Sequence, residues 1–145
     1  MKVVLQRCKQ ASVKVNNNIV GKIDNGILIL VGFSSEDDNA SIPYVVDKIV
    51  NLRIFDDDTG VMNKSLLDIN GEILSVSQFT LYADTKKGRR PSYINALSGD
   101  KAIKLYNKFN EEFAKYNITP QTGIFGENME VSLINDGPVT IIIEK

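Results

Sequence analysis

Three short segments carry groups able to do chemistry. Ser77-Gln78-Phe79-Thr80-Leu81 sets two hydroxyls and an amide at the late end of an apolar, strand-like pattern. A serine or threonine hydroxyl becomes a nucleophile beside a base or as the N-terminal residue, and Thr80 is internal. The chain has no histidine. Ser-His-Asp and Cys-His catalysis and the ordinary histidine metal sites are therefore excluded. What the segment can still supply is backbone: where a strand ends in a tight turn, consecutive N–H groups can face one oxyanion. Ser and Thr are also ordinary strand residues, so a purely structural reading stands beside the catalytic one.

The second segment is Asn135-Asp136-Gly137-Pro138, bracketed by apolar runs. It reads as a turn, and residue types alone leave the Gly-Pro isomer open. The third is Lys86-Lys87-Gly88-Arg89-Arg90, four cations in five residues. Such a run is either a solvated surface or a phosphate-binding loop. Asp56-Asp57-Asp58-Thr59-Gly60 opens like a calcium loop, but position twelve is Leu67 where a Glu is required, so it reads as a solvated turn. No oxygen ligands have a spacing diagnostic of a metal, and none is assigned.

The whole chain sets the frame for these segments. It has 145 residues, 43% hydrophobic and 24% charged, which is one globular domain of ordinary size. Net charge is −1, so a strongly basic nucleic-acid coat is excluded, and any binding of nucleic acid must use a local patch. Cys8 is the single cysteine, so an intrachain disulfide is impossible and a reducing compartment is expected. Gln6, Arg7 and Lys9 interrupt any secretory pattern, and the apolar stretch from Gly26 to Phe33 is far below the ~20 residues of a membrane helix. A cytoplasmic location without a membrane partner is the expectation.

Periodicity predicts the elements that must position the segments. Strands are expected at 2–8, 11–16 and 19–23, with a doubly buried one at 27–31. Ile42, Val45, Val46, Ile49 and Leu52 recur at helical spacing, with Pro43 in the first turn. Residues 72–81 form a further strand. Ser98 is placed to cap a second helix with Ala102, Tyr106, Phe109, Phe113 and Tyr116 on one face. Three short strands follow near 121–126, 129–135 and 139–144. The sum is one α+β domain over 1–145, with roughly seven strands, a mostly antiparallel barrel-like core and two main helices.

Ser77-Gln78-Phe79-Thr80-Leu81 together with Asn135-Asp136-Gly137-Pro138-Val139-Thr140 resembles the paired signature of the D-aminoacyl-tRNA deacylases. The resemblance runs along nearly the whole chain, through Gln6-Arg7, Ala11-Ser12-Val13, Arg53-Ile54-Phe55, Ala83-Asp84, Arg90-Pro91-Ser92, Gln121-Thr122-Gly123 and Phe125. It implies a homodimeric ester hydrolase that frees tRNA and a D-amino acid without a cofactor, a chiral proofreading step in translation. It implies tRNA as partner, and not DNA. It also implies that Gly137-Pro138 is cis and enters the partner subunit's pocket, where its carbonyl oxygens receive the amino group and Cα side of the amino acid. By the same resemblance Arg7 holds that motif, Ser77, Gln78, Phe79 and Thr80 form the catalytic segment, and Phe125 lies near the terminal adenine. Lys86, Lys87, Arg89 and Arg90 would then bind tRNA.

Overall fold

The computed structural model describes residues Met1–Lys145. Strand β1 (Lys2–Val15) is the backbone of the molecule. Its first half pairs antiparallel with β3 (Gly26–Gly32), and its second half with β2 (Asn18–Ile23). Along its other edge it pairs antiparallel with β8 (Glu130–Glu144) over nearly its whole length. Strand β3 continues the sheet through parallel pairing with β6 (Glu72–Ser77), and β6 pairs in parallel with the two-residue β7 (Gln121–Thr122). The sheet order is β2-β1-β3-β6-β7, with β8 added on β1.

The sheet curls until its ends nearly meet. A Cβ on Gly21 of β2 would lie 2.8 Å from the Thr122 carbonyl oxygen of β7, so only glycine lets these strands approach so closely. Inside the curl Cys8, Val13, Ile23, Leu28, Leu74 and Val76 form a small apolar core. On the outer face β3 and β6 are covered by α1 (Ile42–Asn51) and α2 (Gly99–Glu112). Val45, Val46, Ile49 and Val50 of α1, and Leu105, Tyr106 and Phe109 of α2, close the larger core. Each fully buried side chain of this size contributes about 1.5–3 kcal/mol. The continuous run Ile27 to Val31 is apolar because it is covered on both faces, apart from a half-exposed Leu30.

Several expectations need correction. Residues 2–8 and 11–16 are one strand, not two; its register shifts on both sides of Cys8, and the chain absorbs the irregularity without a turn. Residues 130–144 are likewise one strand that passes through Gly137-Pro138. Residues 123–129 are not strand; only Gln121 and Thr122 pair. The strand expected over 72–81 ends at Ser77, and Phe79–Tyr82 is a 3-10 helix. The count is eight strands because a small hairpin, β4 (Phe55–Asp56) and β5 (Met62–Lys64), encloses the acidic loop.

In that loop Asp57 accepts from the backbone N–H of Thr59 and Val61 and from the side chains of Thr59 and Asn63. These bonds hold its carboxyl well below the usual range. The loop is thus an Asp-organised turn. Ser98 stands at the N-cap of α2 in an extended conformation, but its side chain makes no cap bond. Phe113 and Tyr116 fall in a 3-10 continuation, with Phe113 edge-on to Phe109 at 5.3 Å. No helix is long and apolar enough to cross a membrane.

Candidate active site

Strand β6 is buried up to Val76 and pairs with β3 up to Ser77. The Gln78 N–H still donates to the Val31 carbonyl of β3 at 2.8 Å, and from there the chain bends into the Phe79–Tyr82 turn. The bend needs a glycine opposite it, because a Cβ on Gly32 would stand 2.6 Å from the Gln78 carbonyl oxygen. The N–H groups that open such a turn have no carbonyl partner within it. The Gln78 side-chain amide donates to the Thr80 hydroxyl, which leaves that hydroxyl engaged with an amide and not with a base. At the turn's far end Tyr82 donates to Asp37, which also accepts from the Ser34 N–H and the Met1 ammonium. Burial, and secondly the Asp37 carboxylate, push Tyr82 up to about 12.

The bend forms one wall of a cavity of about 580 Å³, well within the range of small-molecule sites. Ser77, Gln78 and Phe79 line it, and Phe125 lines the facing wall. Phe125 is held from behind by the ring of Tyr106, 5.8 Å away. The buried Tyr106 hydroxyl donates to the Ser75 carbonyl at 2.8 Å, and the Gly123 N–H donates to the same oxygen at 3.2 Å. Burial raises the Tyr106 phenol, which therefore stays a donor. One carbonyl of β6 thus ties down both the helix side chain behind Phe125 and the loop that carries it.

Arg7 and the Gly137-Pro138 motif lie elsewhere. Arg7 is 6% exposed, unusually buried for an arginine. Its Nη1 donates to the Ile54 carbonyl at 2.7 Å and to Asp56 Oδ1 at 3.1 Å, and its Nε donates to the Asp136 carbonyl at 2.8 Å. The residue just before Gly137 is thereby fixed to the hairpin β4–β5. On the far side, the Asn135 side chain accepts from the Val139 N–H at 2.8 Å and donates to the Val139 carbonyl at 3.2 Å, bridging the Gly-Pro pair. Gly137-Pro138 is a cis peptide, Gly137 has φ +148°, and both residues are exposed. Neither lines the cavity of its own chain.

Among the expected site residues, then, Ser77, Gln78, Phe79 and Phe125 meet around one cavity, and Thr80 follows in the turn. Arg7 braces the Gly-Pro segment. Lys86, Lys87, Arg89 and Arg90 sit on an exposed loop and make no ion pair. That loop is closed at its base by mutual Asp84–Ser92 backbone bonds of 2.8 and 2.9 Å.

Among the further lining residues that were not expected are Tyr93, Glu127, Asn128 and Met129. Glu127 is the one carboxylate among the lining residues, and it is exposed. Tyr93, Glu127 and Asn128 lie in segments without hydrophobic period, and Met129 was expected only as the first residue of a strand, so no pattern signals them as cavity residues; only the position of Tyr93 just after the cation run hints at a shared surface. The arrangement provides an apolar pocket, an end-of-strand turn and hydroxyl and amide groups, and it contains no imidazole.

What such a pocket can offer is the positioning of a reactive substrate beside backbone donors, without a side-chain base. Residues 4–144 match the family model described as D-Tyr-tRNA(Tyr) deacylase. The chain belongs to this family. Curated relatives named D-aminoacyl-tRNA deacylase, from Bacillus cytotoxicus and Thermosipho africanus, are each 54% identical over 144 residues. The match covers 99% of this chain in both, and 99% and 97% of those proteins. Among solved structures, one titled c-Myc DNA Unwinding Element Binding Protein superposes with TM-score 0.93 at 41% identity, covering 100% of this chain and 99% of that one. A probable eukaryotic D-amino acid tRNA deacylase superposes with TM-score 0.83 at 19% identity, which shows the shared fold.

Proposed function

We propose that this chain hydrolyses the ester between a D-amino acid and the 3′-terminal adenosine of tRNA, acting as a homodimer in the cytoplasm. The observation that carries the reading is the pairing of motifs: Ser77, Gln78 and Phe79 line a cavity from which their own chain's Gly137-Pro138 is absent. A second copy would bring the missing motif. Strand β8 supports this, since it is a long strand paired on one edge only and leaves Ile134 and Ile142 at 50% and 64% exposure. Such an edge is normally covered.

In the reaction, a water oxygen adds to the ester carbonyl carbon. The resulting oxyanion accepts from the backbone N–H groups of Phe79 and Thr80. The carbon–O3′ bond then breaks, and the ribose oxygen takes up a proton. An aminoacyl ester is already reactive, and the neighbouring 2′-hydroxyl can orient water, so position and oxyanion stabilisation suffice without a side-chain base. Handedness is sensed by the main-chain carbonyls of the partner's Gly137 segment. They stand where an L side chain would project, and a clash with unpaired polar groups rejects it. Gly137 has no Cβ to hold the substrate away. Phe125 offers its face to the adenine. Because the Cβ region is the excluded one, achiral glycyl-tRNA is accepted as well.

The test is paired: D-Tyr-tRNA and L-Tyr-tRNA are each incubated with the protein. Release of tRNA from the D ester alone supports the reading. Equal release, or binding without release, contradicts it, the latter being the behaviour of a plain RNA-binding module.

A further inference from the structure

Phe79 and Tyr93 form an aromatic pair at the mouth of the cavity. Their rings meet nearly edge-on, with centroids 5.0 Å apart and planes at 70°. Both line the cavity, yet Phe79 is 57% exposed and Tyr93 40%. The adjoining Ile94 is 84% exposed. An edge-on pair leaves ring faces open to a third flat partner. Tyr93 also follows directly on the bridge that closes the cationic loop, so it stands one residue past Ser92 at the loop's base and three past Arg90. No carboxylate pairs with any of the four cations on that loop.

An open aromatic face beside unpaired cations is the combination that holds a single-stranded nucleic acid: bases stack on the rings while phosphates lie along the charges. A cavity of about 580 Å³ is of a size for one small-molecule ligand, which the aminoacyl-adenosine end would fill. The next nucleotide must then cross the mouth, where the pair stands.

We propose that the Phe79–Tyr93 pair is a stacking platform for the base preceding the terminal adenosine, with Lys86, Lys87, Arg89 and Arg90 taking the phosphates upstream. This assignment rests on the deacylase reading, and it makes Tyr93 a residue for tRNA as distinct from the reacting ester. The charge on the loop favours a nucleotide over the D side chain as the occupant.

The test compares two substrates, D-Tyr-tRNA and D-tyrosyl-adenosine, which ends where the platform begins. Tyr93→Ala should raise KM for D-Tyr-tRNA about fivefold to tenfold, the lower end of what one stacked base contributes. Its effect on D-tyrosyl-adenosine should be several times smaller, and Tyr93→Phe, which keeps the face, should restore the tRNA KM. An equal loss on both substrates, a loss that tracks the D side chain across D-Tyr and D-Ala esters, or no change on tRNA each overturns the proposal. Wild-type turnover of D-Tyr-tRNA in the same experiment tests the deacylase reading separately. Binding of an uncharged single-stranded RNA ending in CCA, measured for wild type, Tyr93→Ala and Tyr93→Phe, reads the platform without any catalysis.

Discussion

The two motif segments are built in opposite ways. The 77–82 segment borders a cavity of its own chain, which Ser77, Gln78 and Phe79 line together with Gly32 and Phe125. Gly137-Pro138 faces outward, at the surface of an edge strand, and its own chain gives it nothing to act on. Yet the outward segment is the more heavily braced, by the buried Arg7 guanidinium on one side and by the two-way clasp of Asn135 on Val139 on the other. A surface turn with no duty beyond reversing the chain would not need a buried arginine, which is costly to desolvate. On the proposed reading, the difference makes one segment a pocket wall and the other a rigid probe.

The largest expected effect comes from deforming the wall. Gly32→Ala forces a Cβ against the Gln78 carbonyl and displaces the N–H groups that follow. It should lower kcat by about 10²-fold, the scale of a lost oxyanion donor, with KM little changed. Single-turnover kinetics on D-Tyr-tRNA would check this, and an unaltered kcat would remove the turn from the chemistry.

Loosening the probe is next. Arg7→Ala strips the Ile54 and Asp136 carbonyls of a charged donor, and should cost about 2 kcal/mol of stability, together with a fall in D-over-L selectivity. Thermal unfolding and the paired ester assay measure the two parts. Retained selectivity would mean that the segment needs no brace.

Neutralising Lys86, Lys87, Arg89 and Arg90 together should raise KM for tRNA. It should also flatten the salt dependence, by about 0.7–0.9 in log–log slope for each phosphate that the loop no longer neutralises. A fall in kcat with unchanged KM would contradict a docking role. Thr80→Ala should be nearly silent in single-turnover deacylation, since its hydroxyl is held by the Gln78 amide; near wild-type rates exclude a covalent route, and total loss with an intact fold would contradict catalysis by position and oxyanion stabilisation alone.

The smallest effect concerns neither segment. Burial pushes the Cys8 thiol from 9.0 up to about 11, with the Asp136 carboxylate adding to the rise. A raised thiol keeps its proton in the folded state after the unfolded chain has lost it. Cys8 therefore stabilises the fold fully below pH 9, and that contribution fades as pH rises through about 11. Unfolding of Cys8→Ala should show a shallower alkaline decline than wild type; parallel declines would discount burial of the thiol.

What could be read in advance follows from where burial imposes a period. The run Ile27 to Val31 and the stripe of α1 announce themselves because one face or both faces must be apolar. The end of β6 falls earlier than its pattern predicts because Phe79 and Leu81 continue the alternation, while the competing effect, absence of a β3 partner beyond Val31, is tertiary. Gly137-Pro138 reads as a turn by composition, yet β8 passes through it because β1 shifts register at the same level, around Cys8. Tyr93, Glu127, Asn128 and Met129 are invisible as cavity residues because they sit in loops, where position is set by the segments the loops join.

The central claim, that each active site takes its wall from one copy and its probe from another, has one direct test. Gly32→Ala spoils the wall; Gly137→Ala spoils the probe, since its φ of +148° disfavours a side chain and a Cβ would stand 2.6 Å from the Val139 nitrogen. Each variant alone should be nearly inactive on D-Tyr-tRNA. After the two are unfolded and refolded together, random pairing gives mixed dimers with one intact wall facing one intact probe, and about a quarter of wild-type activity should return. If mixing restores nothing while mixed dimers demonstrably form, each site is completed within its own chain and the account is wrong.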